Sequence, residues 1–161
     1  MQQRQPTYIR QSKQTEPTVL YFPLPGLLLE GQKLALNSAT RTLLLLSEGP
    51  EVLMAEQVSV NALRVITPIL QAFPHYCPYE VLLAHISSNS ANEATVLRCR
   101  KRLQEAQDHG TWQQELRPIR RALSLLRGKL HSFGLDISTL RERGCSLTGI
   151  HGGLLPSDTI S

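Results

Sequence analysis

The chain has 161 residues, 41% of them hydrophobic and 19% charged, and a formal net charge of +4. That length supports one domain with a buried core and is short for two. The composition is that of a globular protein, and the absence of any apolar run of about 18 residues argues against a membrane span.

Residues 1–17, MQQRQPTYIRQSKQTEP, are polar and Gln-rich without the apolar stretch of a secretory signal, so a disordered tail is expected. A single domain is expected over residues 18–150. From Val19 to Met54, the runs VLYF, GLLLE, KLALN, TLLLL and EVLM are separated by turn-forming clusters and predict an antiparallel meander of short strands. Helical periodicity follows over Val58–Phe73, where Val58, Leu63, Ile66, Ile69 and Leu70 share a face, Ser59 is the expected N-cap, and Pro68 is expected to kink or shorten the helix.

A second short helix is predicted over Pro78–Ile86, with the proline in its first turn. The loop SSNSAN then leads to Ser90 and Glu93, which have capping-box spacing and open a helix running to about Asp108 and ending at Gly110. Val96, Cys99, Leu103 and Ala106 fall on one side of it, opposite Arg98, Lys101, Arg102 and Glu105, the pattern of a solvated face over a packed stripe.

The next helix carries the strongest signal. At about 100° per residue from Arg117, Ile119, Ala122, Leu123, Leu126 and Leu130 cluster on one side. Arg117, Arg120, Arg121, Ser124, Arg127 and Gly128 cluster on the other, with Leu125 on the flank and Pro118 tolerable in the first turn. A solvated face ordinarily interleaves acids with its bases, because like charges at i,i+4 repel. Here no acid intervenes, and arginine's planar fork suits phosphate oxygens and guanine edges. After a stop at Phe133-Gly134, Leu135–Leu147 alternates, breaks at Glu142-Arg143-Gly144 and resumes, predicting a β-hairpin with Arg141 and Arg143 at its tip. The tail 151–161 is expected to be flexible.

Charge is distributed unevenly. Residues 1–97 carry six Lys/Arg against seven Asp/Glu, whereas residues 98–143 carry eleven against five, the footprint of a nucleic-acid or acidic-partner surface. Cys77, Cys99 and Cys145 are odd in number and widely spaced, with no zinc-ligand pattern, which suits a reducing, cytoplasmic setting. The five histidines are scattered and are read as surface or boundary residues, and no metal or other cofactor is expected. No nucleophile elbow, P-loop or Gly-rich phosphate loop is present, so an enzyme is not expected.

Helix followed by a basic-tipped hairpin is the build of a winged helix. Three stretches carry a closer resemblance. RPIRRALSLLRGKL resembles R-S-V-D-V-H-I-S-R-L-R-R-K-L without a gap, with Ile119, Leu123, Leu126 and Leu130 on core positions and Arg117, Ser124, Arg127 and Lys129 on polar ones. ISTLRERGCSL resembles I-R-T-V-R-G-V-G-Y-R-L through Ile137, Thr139, Arg141, Gly144 and Leu147. PHYCPYEVLLAHI resembles P-G-x-V-V-S-R-E-x-L-L-x-x-V through Pro74, Glu80, Leu82 and Leu83. In this order and spacing they resemble the effector domain of the OmpR/PhoB family of bacterial response regulators.

The resemblance implies an α+β winged helix-turn-helix with an N-terminal antiparallel sheet, three core helices, one inserted helix within 87–116, and a C-terminal hairpin wing. It implies a sequence-specific double-stranded DNA-binding regulator of transcription. Arg117, Arg120, Arg121, Ser124, Arg127 and Lys129 would contact DNA from the recognition helix, and Thr139, Arg141 and Arg143 from the wing. The family's short loop before the recognition helix can contact RNA polymerase. Here the 87–116 insertion replaces that loop, so the polymerase, another protein or a second copy in a homodimer are the partners it suggests. Arg120 and Leu125 stand where the family often has Asp and Arg, and Glu142 and Cys145 replace its Gly and Tyr, so no base preference transfers. No receiver-like segment precedes the domain in this chain, and either a freestanding module or one half of a longer system is expected. The competing expectation is a winged-helix interaction module that does not read DNA.

Overall fold

The computed structural model describes residues 18–88 and 91–150. The tails expected at 1–17 and 151–161, and the capping residue Ser90, lie outside those residues. Strands β1 (Val19–Phe22), β2 (Lys33–Asn37), β3 (Thr42–Leu46) and β4 (Val52–Gln57) form an antiparallel sheet in chain order. Helices α1 (Val60–Ala72), α2 (Tyr79–Ser87), α3 (Glu93–His109), α4 (Trp112–Glu115) and α5 (Arg117–His131) follow, with a two-residue strand β5 (Cys77–Pro78) between α1 and α2. The hairpin β6 (Leu135–Leu140) and β7 (Gly144–Gly149) comes last. The fold class is α+β, with the four-stranded sheet, the helices and the C-terminal hairpin in the expected order.

One expected strand is absent. GLLLE, Gly26–Glu30, is a turn whose first amides bond locally, Leu27 and Leu28 N–H both donating to Leu24 O at 3.0 and 3.1 Å. Pro23 and Pro25 cannot donate to a ladder, and Gly26 and Gly31 adopt φ of +90°, so the backbone closes on itself. Leu27 and Leu28 pack against the core beside the buried Leu24, while Leu29 is exposed.

Ser59 caps α1 as expected, its side chain accepting from Ala62 N–H at 3.1 Å. Pro68 does not end the helix, which continues to Ala72 with the proline ring buried. At α3 the cap is Asn92, not Ser90. Its Oδ1 accepts from Thr95 N–H and Oγ1, each at 2.9 Å. Gly110, with φ +74°, takes the left-handed position that closes this helix.

Leu34, Leu36 and Leu43 of the sheet join Val65, Ile66 and Ile69 of α1, Leu82 of α2, and Ile119, Leu126 and Leu130 of α5 in one apolar core. Leu135, Ile137 and Leu147 bring the hairpin into it. α3 packs on α2 through Cys99 and Leu103, so the inserted helix shares the core and does not project from it. β5 adds a feature that was not expected. Cys77-Pro78, where Pro78 is expected to open the second helix, pairs with β7 to make a three-stranded sheet of order β5-β7-β6.

Candidate nucleic-acid interface

α5 starts directly from α4. The Leu116 carbonyl accepts from Arg120 N–H at 2.9 Å, and Pro118 sits where its missing amide has no helical partner. Ile119, Ala122, Leu123, Leu126 and Leu130 are buried, while Arg117, Arg120, Arg121, Ser124 and Gly128 are exposed. The two faces therefore separate along the division that the periodicity predicts. None of the ion pairs among the described residues involves Arg117, Arg120, Arg121, Arg141 or Arg143.

Arg127 and Lys129 are placed differently. Arg127 lies half-buried against the hairpin base, donating from Nη2 to Ile137 O at 2.8 Å. Its Nε lies 3.6 Å from Asp136 Oδ1, close enough for charge attraction but too long for a hydrogen bond. The same carboxylate oxygen is 3.4 Å from His131 Nε2 and 2.8 Å from Ile137 N–H. Asp136 thus ties the last turns of α5 to β6. Lys129 Nζ is 3.5 Å from Glu56 Oε1, and Ser132 donates to the other Glu56 oxygen at 3.1 Å, joining α5 to β4.

Between α5 and the hairpin lies an open cleft of about 450 Å³, lined by Tyr79, Arg120, Leu123, Ser124, Arg127 and Thr139. It adjoins a smaller one of about 270 Å³ that reaches Trp112, Gln113, Arg141 and Glu142. Tyr79 and Trp112 meet edge-to-face at 6.1 Å and 82° beside Arg120. Burial, followed by the neighbouring Cys145 thiol, pushes the Tyr79 phenol pKa up, while Arg120 and Arg127 pull it down. The phenol stays protonated at neutral pH and able to donate.

The hairpin turn is closed by Arg143 N–H donating to Leu140 O at 2.9 Å, and Glu142 within it has φ +61°. Arg141 and Arg143 flank that glutamate at the exposed tip. Arg143 O accepts from Tyr79 N–H at 2.9 Å, so the tip is anchored to the start of α2.

Of the expected residues, the structure brings Arg120, Ser124, Arg127 and Thr139 to one cleft and Arg141 to the one adjoining it. Arg117 and Arg121 lie on the outer face of α5, Arg127 is bonded to the hairpin base, and Lys129 is exposed with a weak pairing to Glu56. The sequence reading missed Asp136, Tyr79 and Trp112. Asp136 was accessible, since it is the sole acid between Glu115 and Glu142 in a run crowded with arginine. The two aromatics meet through contacts between α2 and α4 that no local pattern reports. Among the described residues no group of His, Cys, Asp and Glu could hold a metal ion, and no helix is long and apolar enough to cross a membrane. No family model, curated protein or solved structure matches the chain.

Proposed function

We propose that this protein binds double-stranded DNA as a winged helix resembling the OmpR/PhoB effector domain, acting as a transcriptional regulator. In this reading α5 enters the major groove and the β6–β7 hairpin is the wing, reaching backbone or the adjacent minor groove. The observation that carries it is the outer face of α5. Arg117, Arg120 and Arg121 stand there with no acidic partner, followed on the same face by the small residues Ser124 and Gly128 and flanked by a hairpin that adds Arg141 and Arg143. Unpaired cations on adjacent turns repel one another, and a polyanion relieves that repulsion while releasing counterions. A helix about 10–12 Å across matches a major groove about 12 Å wide. Small residues at 124 and 128 allow close approach. Arg120, Arg121 and Ser124 are assigned to base edges or the nearest phosphates, and Arg117, Arg141 and Arg143 to the backbone.

The test is duplex binding at moderate salt by a variant with Arg117, Arg120 and Arg121 all changed to Ala. Each lost contact is worth on the order of 1–3 kcal/mol, so affinity should fall about 100-fold or more. Unchanged affinity would refute the assignment. Arg127→Ala should behave differently, lowering the melting temperature through its lost hydrogen bond to Ile137 O and lost charge attraction to Asp136.

A second reading rests on α3, whose exposed face presents Leu97, 52% exposed, among Glu93, Arg98, Lys101 and Glu105. Mixed charge around an apolar residue suits a protein partner better than a polyanion. The 87–116 insertion is therefore assigned to protein contact, whether with polymerase, another protein or a second copy.

A further inference from the structure

Arg41 stands in the turn between β2 and β3, far in sequence from α5. Asn37 Oδ1 organises that turn by accepting from Ala39 and Thr40 N–H at 3.0 and 3.1 Å. Arg41 itself has φ +55°, in the left-handed region that costs a non-glycine residue about 1–2 kcal/mol. Its side chain is held, with Nε donating to Val58 O at 3.2 Å. Arg41 is an exposed residue, and no carboxylate among the described residues forms an ion pair with it.

It lines an open cleft of about 320 Å³ whose far wall is Leu125 and Lys129 of α5, with Gln57 and Ser59 between. At about 100° per residue, Leu125 and Lys129 lie on one flank of the outer α5 face, and Arg120 and Arg127 on the other. The hairpin occupies the flank of Arg120 and Arg127. Arg41 therefore borders the opposite flank. A helix seated in a major groove has a phosphate strand along each side, and the wing reaches only one of them.

We propose that Arg41 is a second backbone clamp: with Lys129 beside it, it takes a duplex phosphate on the flank of α5 away from the wing. Lys129 remains available because its exposed pairing with Glu56, at 3.5 Å, is of the weak surface kind. Arg41 contributes affinity and no base preference, since a phosphate contact carries no sequence information. The inference rests on the duplex-binding reading above.

The test measures binding of a labelled mixed-sequence duplex across about 50–200 mM salt, with Arg41→Gly, Arg41→Lys and Arg121→Ala beside the unaltered chain. Glycine accepts the left-handed backbone, so Arg41→Gly removes the cation without straining the turn. It should bind about three- to tenfold more weakly, and its log K against log salt slope should shallow by roughly 0.9, the signature of one lost phosphate contact. Arg41→Lys should recover most of that slope. Unaltered affinity and slope in Arg41→Gly, with binding still lost in Arg121→Ala, would overturn the clamp and leave the duplex reading standing. A lowered melting temperature with an unchanged slope would make Arg41 a turn-holding residue only, which also overturns it. No duplex retained by the unaltered chain at any salt would overturn both.

Discussion

Glu142 sits at the wing tip with φ +61°, a backbone that glycine adopts freely and other L-residues only at a cost of about 1–2 kcal/mol. It also places a negative charge between Arg141 and Arg143, the two cations assigned to the DNA backbone. Both effects act in the same direction on substitution. Glu142→Gly should stabilise the fold by about 1 kcal/mol, read as a higher urea midpoint at unchanged slope. It should also tighten duplex binding, and a weaker-binding Glu142→Gly protein would count against the wing's assignment. Single residues were legible where chemistry was local. The arginine face of α5, the Ser59 cap and the Gly110 stop all follow from spacing. Arg127 was not legible, because its partner Asp136 lies on the next strand and only the α5–β6 angle brings the two together.

At the scale of elements, the hairpin was readable and its anchor was not. Alternation over 135–147 predicts two strands, and the structure has β6 and β7 there with Ile137 opposite Leu147. That β5 completes the sheet depends on Gly144. A Cβ at this position would fall within 2.7 Å of the Cys77 carbonyl carbon and 2.9 Å of Pro78 Cα. Backbone atoms cannot yield as a flexible side chain would. Gly144→Ala should cost on the order of 3 kcal/mol, and it should separate β5 from β7 and release the Tyr79–Arg143 anchor. Hydrogen exchange at Tyr79 N–H measures this, and undiminished protection there would refute it. The misread GLLLE segment has the converse origin. Its apolar run satisfies a strand pattern, while the prolines and glycines around it prevent a ladder. The run leaves Leu27 and Leu28 partly buried against the core and Leu29 exposed.

Across the whole molecule, one core joins the sheet, four of the helices and the wing, so the angle between α5 and the hairpin is set by packing. Two buried thiols report on that packing. Burial pushes Cys77 up to about 12 and Cys145 up to about 11 from an ordinary value of 9.0, with the mutual proximity of the two thiols adding to the rise at Cys77. Raised pKa values mean that the folded state holds protons which the unfolded chain releases above pH 9. Stability is therefore fully present below pH 9 and falls as pH rises toward 11–12, by about 1.4 kcal/mol per unit for each thiol within that window. Urea unfolding from pH 8 to 11 should show the decline, and a Cys77→Ala, Cys145→Ala double variant should show a shallower one. Equal slopes would mean that the thiols stay solvated in the folded chain. Both cysteines should resist alkylation until the protein unfolds.

The sequence by itself determined the α+β class, the order of sheet, helices and hairpin, and the separation of α5 into an apolar and an arginine face. These depend on periodicity and on turn and cap residues, which act over a few positions. Only the tertiary structure decided which cations remain unpaired. Asp136 draws in Arg127, Glu56 holds Lys129 only weakly at the surface, and Arg41 emerges beside α5 from a turn about eighty residues earlier. Charge pairing depends on distance in space, and distances of a few ångströms between remote segments are set by how the core packs.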